Sequence, residues 1–390
     1  MVLTGIDVVL GDDRAAQSLV GKRMGIITNP TGVNRCLKTT LELMQRDRRF
    51  RVVAAFSPEH GLQGEVQDAV GVGEYRDEAT GLPVYSLYGM SRQPTAEMLA
   101  GIDALVFDIQ DVGVRFYTYI STMLLSMRAC KKHGKEFIVL DRPNPISGSV
   151  VEGNILDRRF ASFLGPCPIP IRHGLTVGEL ATWANDRLAI GCNLTVCEMR
   201  GWTRSMWADE TGLPWVMPSP NLPTLDTAAV YPGTCFVEGI NVSEGRGTTR
   251  PFELMGAPWI NAKVLSEHLN AKGLPGCRFR SVHFVPTFSK YAGQTCGGVQ
   301  VHVVDRTSYE SVHSGAHIIA AIRRLWPEHF RWVETPELSS EGKFHIDLLA
   351  GTDELRLAID GDKDIDCLLD RWDQEAASFA RDRERFLFYG

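Results

Sequence analysis

Ala104-Leu105-Val106-Phe107-Asp108-Ile109-Gln110-Asp111-Val112-Gly113 decides the fold. An apolar run of strand length ends abruptly in acids and a glycine. It is too short for a typical helix and apolar at successive positions, so it predicts a strand buried on both faces. Downstream, residues 116–133 predict a long helix. Residues 136–140 (EFIVL) then predict another strand, ending in Asp141-Arg142-Pro143-Asn144-Pro145. Upstream the theme repeats. Residues 22–28 (KRMGIIT) run into Asn29-Pro30-Thr31-Gly32, and residues 51–56 (RVVAAF) into Ser57-Pro58-Glu59-His60-Gly61. Helices are predicted over 38–47 and 95–100, and a short strand over 83–87. Apolar strands alternating with helices give a parallel sheet covered on both faces, an α/β fold.

Beyond residue 140 the regularity weakens. Thr176 and Glu179 form a capping box opening a helix over 176–188, followed by a strand over 194–197. From Trp202 the chain is rich in Trp and Pro. Strands are expected over 231–240, 278–286 and 298–304, and helices over 309–325 and 364–386. The second half therefore reads as a smaller α+β unit. The expected division is a catalytic α/β unit over 1–210 and an α+β unit over 211–390 that contributes to the cleft. At 390 residues the chain has length for two units.

Composition removes several classes of function. Hydrophobic residues make up 44% and charged residues 23%, as in ordinary globular proteins. Lys+Arg 41 against Asp+Glu 47 gives a net charge of −6, without the basic excess of a nucleic-acid-coating protein. No apolar run approaches the ~18 residues of a membrane span. Neither a nucleic acid nor a membrane is an expected partner. The N-terminal stretch has no basic region, and acids interrupt its apolar residues, so it does not read as a signal peptide. The 9 cysteines are scattered without a Cys-x-x-Cys, which suits free thiols and a cytoplasmic location.

The loops after the predicted strands carry the chemistry, since ligands of open α/β sheets bind beyond the carboxyl ends of strands. Asn29, Glu59-His60, Asp108, Asp111, Arg142 and Asn144 all fall there. Each residue type alone also suits a cap or a turn; several such loops on one edge point to a site. The densest segment runs from Ser57 to Glu65, with Glu59 and His60 before Gly61 and Glu65 after Gly64. Glycoside hydrolysis needs two carboxyl groups across the scissile bond, and a loop leaving a buried strand can desolvate one of them. Which is the acid, and whether configuration is retained, are left open. Glu59, His60 and Asp108 could also ligate a metal, but His-Glu-x-x-His is absent.

A second cluster spans Glu238 to Glu253 and includes Glu244, Arg246, Thr248 and Arg250. It lacks the Walker pattern, and GxGxxG is missing from the chain. Its arginines, beside glycines that let a ligand reach the backbone, suit a carboxylate. Arg172 and His173 stand at a helix entrance, where anions also bind. Asn221, in Pro218-Ser219-Pro220-Asn221, suits a sugar hydroxyl or a braced loop.

Gly25-Ile26-Ile27-Thr28-Asn29-Pro30-Thr31-Gly32, Ser57-Pro58-Glu59-His60-Gly61, Leu140-Asp141-Arg142-Pro143-Asn144-Pro145 and Arg172-His173-Gly174-Leu175-Thr176 together resemble one family. So do the segment from Phe107 through Arg115 to Tyr119, Pro218-Ser219-Pro220-Asn221 and the 238–253 loop. The resemblance is to the bacterial exo-β-N-acetylmuramidases of the NamZ type and runs from about Gly5 to the C-terminus. It implies a Rossmann-like domain joined to a smaller α+β domain, with the site between them. It also implies a glycosidase that releases N-acetylmuramic acid from the non-reducing end of peptidoglycan fragments, with no cofactor and no metal. Relatives in this family are often exported. The resemblance puts the leading catalytic role on Glu59, with Glu65 next. Muramic acid carries a lactyl carboxylate, for which Arg246 or Arg250 is the expected reader and Arg172 the third choice. Two other readings compete: a non-catalytic wall-sugar sensor on the same fold, and a metal-assisted hydrolase.

Overall fold

The computed structural model describes residues 1–64, 75–89, 91–334 and 343–390. Seven strands form the larger sheet: β1 Arg23–Thr28, β2 Arg51–Ser57, β3 Tyr75–Arg76, β4 Pro83–Ser86, β5 Ala104–Asp108, β6 Glu136–Leu140 and β7 Asn193–Cys197. Their order is β3-β4-β2-β1-β5-β6-β7. All pairs are parallel except the short β3 against β4. The chain runs outward from β1 to β4, then crosses back to β5 on the other side of β1.

Alternation along these strands sorts their side chains onto two faces. Ile27, Leu105, Phe107, Phe137 and Val139 pack on one face. Helices Tyr119–Lys132 and Val177–Arg187 cover it, through residues such as Ile120, Met123, Leu180 and Trp183. Met24, Ile26, Val106 and Ile138 point the other way, against Ile6 and Val9 of Gly5–Gly11 and Leu41 and Met44 of Thr40–Arg46. The Thr176–Glu179 capping box is formed as the sequence predicts.

The smaller antiparallel sheet has order β8-β10-β9, with β8 Leu254–Ala257, β9 Cys277–Phe284 and β10 Cys296–Val303. Helices Leu225–Thr234, Ala262–Ala271 and Ser311–Leu325 belong to the same half of the chain. The first and last of these touch through glycines: a Cβ on Gly233 would lie 1.7 Å from the Ser311 carbonyl oxygen. The two halves share one apolar core. Arg115 ties them together, donating to the carbonyls of Asn154 and Ile169 on one side and of Leu349 and Ala350 on the other. The final helix, Asp366–Arg383, returns to the first half, where Arg383 donates to the carbonyls of His173, Gly174 and Gly148.

The strand expected over 231–240 is not one. Helix Leu225–Thr234 runs into a 3-10 turn, Cys235–Gly239. Its residues are buried almost all round, which erases the helical period that would reveal it in sequence. Helices Gly5–Gly11, Ala262–Ala271, His345–Ala350 and Glu354–Asp360, and strand β8, lie outside the elements expected from the sequence. No helix among the described residues is long and apolar enough to cross a membrane. All nine cysteines are free thiols.

Candidate active site

At the end of β2 the chain turns through two successive left-handed residues, His60 (φ 73°) and Gly61 (φ 80°). A non-glycine residue held there costs about 1 kcal/mol or more, and such strain clusters at functional sites. The turn presents Glu59, which is buried. Thr118, just before helix Tyr119–Lys132, donates its hydroxyl to Glu59 Oε2 at 2.5 Å. Glu59 and His60 open into a cleft of about 360 Å³. Tyr117, Thr118 and Tyr119 line its near wall, and Asn221 a further part of it. Glu238, Glu244, Arg246, Lys290 and His345 line it from the second half of the chain. Tyr231, Phe252, Phe116 and Tyr117 form an edge-to-face aromatic floor, with Tyr231 4.8 Å from Phe252.

The far wall is an ion-pair network. Arg246 donates to Glu238 Oε1 through Nε (3.0 Å) and Nη2 (2.6 Å), and its Nε stands 3.4 Å from Glu244 Oε1. Lys290 Nζ lies 3.1 Å from Glu244 Oε2 and donates to the carbonyls of Val237, Glu238, Ile240 and Val242. Val237 and Glu238 lie in the 3-10 turn and Ile240 and Val242 just beyond it, so Lys290 braces the turn that carries Glu238. His345 Nε2 stands 3.8 Å from Glu238 Oε2. Burial alone would push the Glu238 carboxyl up. The Arg246 guanidinium, and after it His345, more than reverse this and hold it well below the usual carboxylate range.

Of the residues singled out in the sequence, Glu59, His60, Asn221, Glu244 and Arg246 come together in this cleft. Glu65 lies outside the described residues. The others have partners elsewhere. Asp108 is buried in an ion pair with Arg142 and accepts from the Thr40 hydroxyl. Arg142 also donates to the Val33 carbonyl. Asn29 caps its own turn, accepting from Thr31. Asn144 bridges Leu175 and Ile146. Arg172 is buried against Glu152 and the Ile146 carbonyl, with the Trp207 ring 5.5 Å away. Thr248 closes a turn onto the Gly245 carbonyl, and Arg250 pairs with Glu253.

Asp111 and His173 are buried side by side, Nε2 to Oδ2 3.9 Å. Burial pushes the Asp111 carboxyl up to about 7 and, with the nearby Arg383 and Arg115, the His173 imidazole down to about 3. The glycines expected to admit a ligand to the backbone of the 244–250 loop are occupied by the protein itself. A Cβ on Gly247 would meet the Phe288 backbone at 2.7 Å, and Thr287 N–H donates to the Gly247 carbonyl.

Lys290 and His345 are isolated in sequence, and no local pattern marks them. Glu238 stood in the quoted loop, but a strand reading of 231–240 gave no reason to prefer it. Among the described residues no group of three or more His, Cys, Asp or Glu side chains could hold a metal ion.

These features define a class first: a two-sheet α/β protein whose interior cleft carries carboxylates from both halves of the chain, the composition of a sugar-hydrolysing site. The family described as exo-β-N-acetylmuramidase NamZ matches in two parts, its N-terminal portion over residues 24–226 and its C-terminal portion over 229–389. The chain belongs to this family. It is 47% identical over 388 residues to the peptidoglycan β-N-acetylmuramidase NamZ of Bacillus subtilis (strain 168), covering 100% of this chain and 91% of that protein. Two crystal structures of DUF1343 family proteins from Bacteroides fragilis NCTC 9343 share the fold. One has a TM-score of 0.90 at 38% identity and the other 0.77 at 30%, each covering 100% of this chain and 99% of its own.

Proposed function

We propose that this protein is an exo-acting β-N-acetylmuramidase, a glycoside hydrolase that releases N-acetylmuramic acid from the non-reducing end of peptidoglycan fragments. One observation carries this reading. A chain 47% identical along its length to a peptidoglycan β-N-acetylmuramidase holds Glu59 and an ionised Glu238 in the same cleft. The division into a catalytic α/β unit over 1–210 and an α+β unit over 211–390 belongs to the same reading.

Glu59 is the proton donor. Its carboxyl is buried at the cleft, and the Thr118 hydroxyl fixes its orientation. It protonates the glycosidic oxygen as the bond to the anomeric carbon breaks; water then adds to that carbon, and the proton it releases restores the acid. Glu238 stays a carboxylate throughout and faces the positive charge that develops on the sugar ring. Arg246 and Lys290 hold Glu238 and Glu244 in place. The aromatic floor supports the apolar face of the ring, and Asn221 offers hydrogen bonds to its hydroxyls. A sensor would need neither the ionised carboxylate nor the desolvated acid. The test is hydrolysis of a chromogenic β-N-acetylmuramide beside the matched β-N-acetylglucosaminide. Turnover of the muramide alone is expected. Binding of muramic acid without turnover would favour the sensor.

A further inference from the structure

We infer that Arg92, at the rim of the cleft, reads the lactyl carboxylate that distinguishes muramic acid from glucosamine; this rests on the glycosidase reading above. The cations inside the cleft are already committed. Arg246 is held bidentately by Glu238 and flanked by Glu244. Lys290 is shared between Glu244 and four backbone carbonyls. Each is already neutralised by a buried carboxylate of the protein, so neither offers a substrate carboxylate an uncompensated charge. The other arginines expected for this role are paired away from the cleft, Arg172 with Glu152 and Arg250 with Glu253.

Arg92 differs in each respect. It is exposed and makes no ion pair among the described residues. Its guanidinium carbon stands 4.5 Å from the centre of the Phe163 ring and 5.8 Å from that of Tyr88. Both rings line the cleft, and they pack 6.0 Å apart. This platform is pinned on every side. Ser121 of helix Tyr119–Lys132 donates to the Phe163 carbonyl, and Ser86 to that of Tyr88. Ser91 closes the turn that carries Arg92 by donating to the Gln93 carbonyl. A guanidinium over aromatic faces loses part of its rotamer freedom before any ligand arrives, and its planar fork matches a carboxylate. A rim position also suits the lactyl ether. Where a peptide stem is amide-linked in place of the free acid, a rim position lets it leave the cleft towards solvent; Arg92 reads the stem-free sugar.

The test compares two chromogenic β-N-acetylmuramides, one with the free lactyl carboxylate and one with the lactyl group as its primary amide. Arg92→Ala should raise KM for the acid about tenfold while leaving kcat, and both constants for the amide, unchanged. Arg92→Lys, which keeps the charge but not the fork, should recover part of the loss. An unchanged KM for the acid in Arg92→Ala, or an equal rise for acid and amide, overturns the inference. If the wild type cleaves both muramides and the acid-to-amide preference survives in Arg92→Ala, only the role of Arg92 falls. A wild type that cleaves neither overturns the glycosidase reading, and this assignment with it.

Discussion

Glu238→Gln removes one negative charge and almost no volume. In the wild type both Nε and Nη2 of Arg246 donate to Glu238 Oε1. The pair is largely buried, with side-chain exposures of 14% and 19%. Removing one partner from a buried pair typically costs about 3–5 kcal/mol, because the remaining charge is left uncompensated. Here Glu244, 3.4 Å from Arg246 Nε, takes up part of that charge, so the loss should be about 2 kcal/mol. At a few degrees per kcal/mol or less for a chain of this size, that is a drop of a few degrees in Tm. The catalytic effect should be far larger. Losing a group that stabilises charge in the transition state typically lowers the rate about 10²–10³-fold. The assay is kcat/KM on the chromogenic muramide, with a thermal melt of the same preparation. Arg250→Ala is the control. Its pair with Glu253 is half-exposed on the arginine side and worth under ~1 kcal/mol, and it lies outside the cleft. Glu238→Gln with activity within about threefold of the wild type and an intact melt would refute the assignment of Glu238.

Thr118→Val removes the hydroxyl that holds Glu59 and keeps the side-chain shape; kcat should fall about tenfold, with Thr118→Ser close to wild type. Asp111→Asn should alter how stability responds to pH. The folded-state value of Asp111, about 7, lies above its unfolded value, so its contribution is complete below pH ~4 and is lost as pH rises towards 7. Chemical denaturation at pH 4 and pH 7 should therefore show a smaller decline in the variant than in the wild type, and an equal decline would remove Asp111 as its source. Gly233→Ala should destabilise the second half by about 1–3 kcal/mol, because its Cβ would lie 1.7 Å from the Ser311 carbonyl oxygen; an unchanged Tm would contradict that contact.

The parallel sheet was legible because β1, β5 and β6 are buried on both faces and show it as short, unbroken apolar runs. The Glu59-His60 turn was legible too, since strand ends of an open sheet are where polar residues have reason to gather. Which of those polar residues face a ligand was not. Asp108 and Arg142 look like site residues in sequence, yet they neutralise each other beneath the sheet edge. A side chain that holds a loop and one that holds a substrate are the same residue type at the same place, and only the partner separates them. The far wall was hidden for a different reason. Glu238 sits on a turn that its burial disguises as a strand, and Lys290 and His345 reach it across gaps of 52 and 107 positions in the chain. Contacts of that range leave no local pattern.

The central claim is that Glu59 gives up the proton that breaks a muramic glycoside bond. The most direct measurement is the turnover of chromogenic β-N-acetylmuramides by Glu59→Gln, comparing a leaving group of high pKa with one of low pKa. Loss of a proton donor should abolish cleavage of the poor leaving group and largely spare that of the good one, with the melt unchanged. Equal losses on both substrates, or full activity on both, would contradict it.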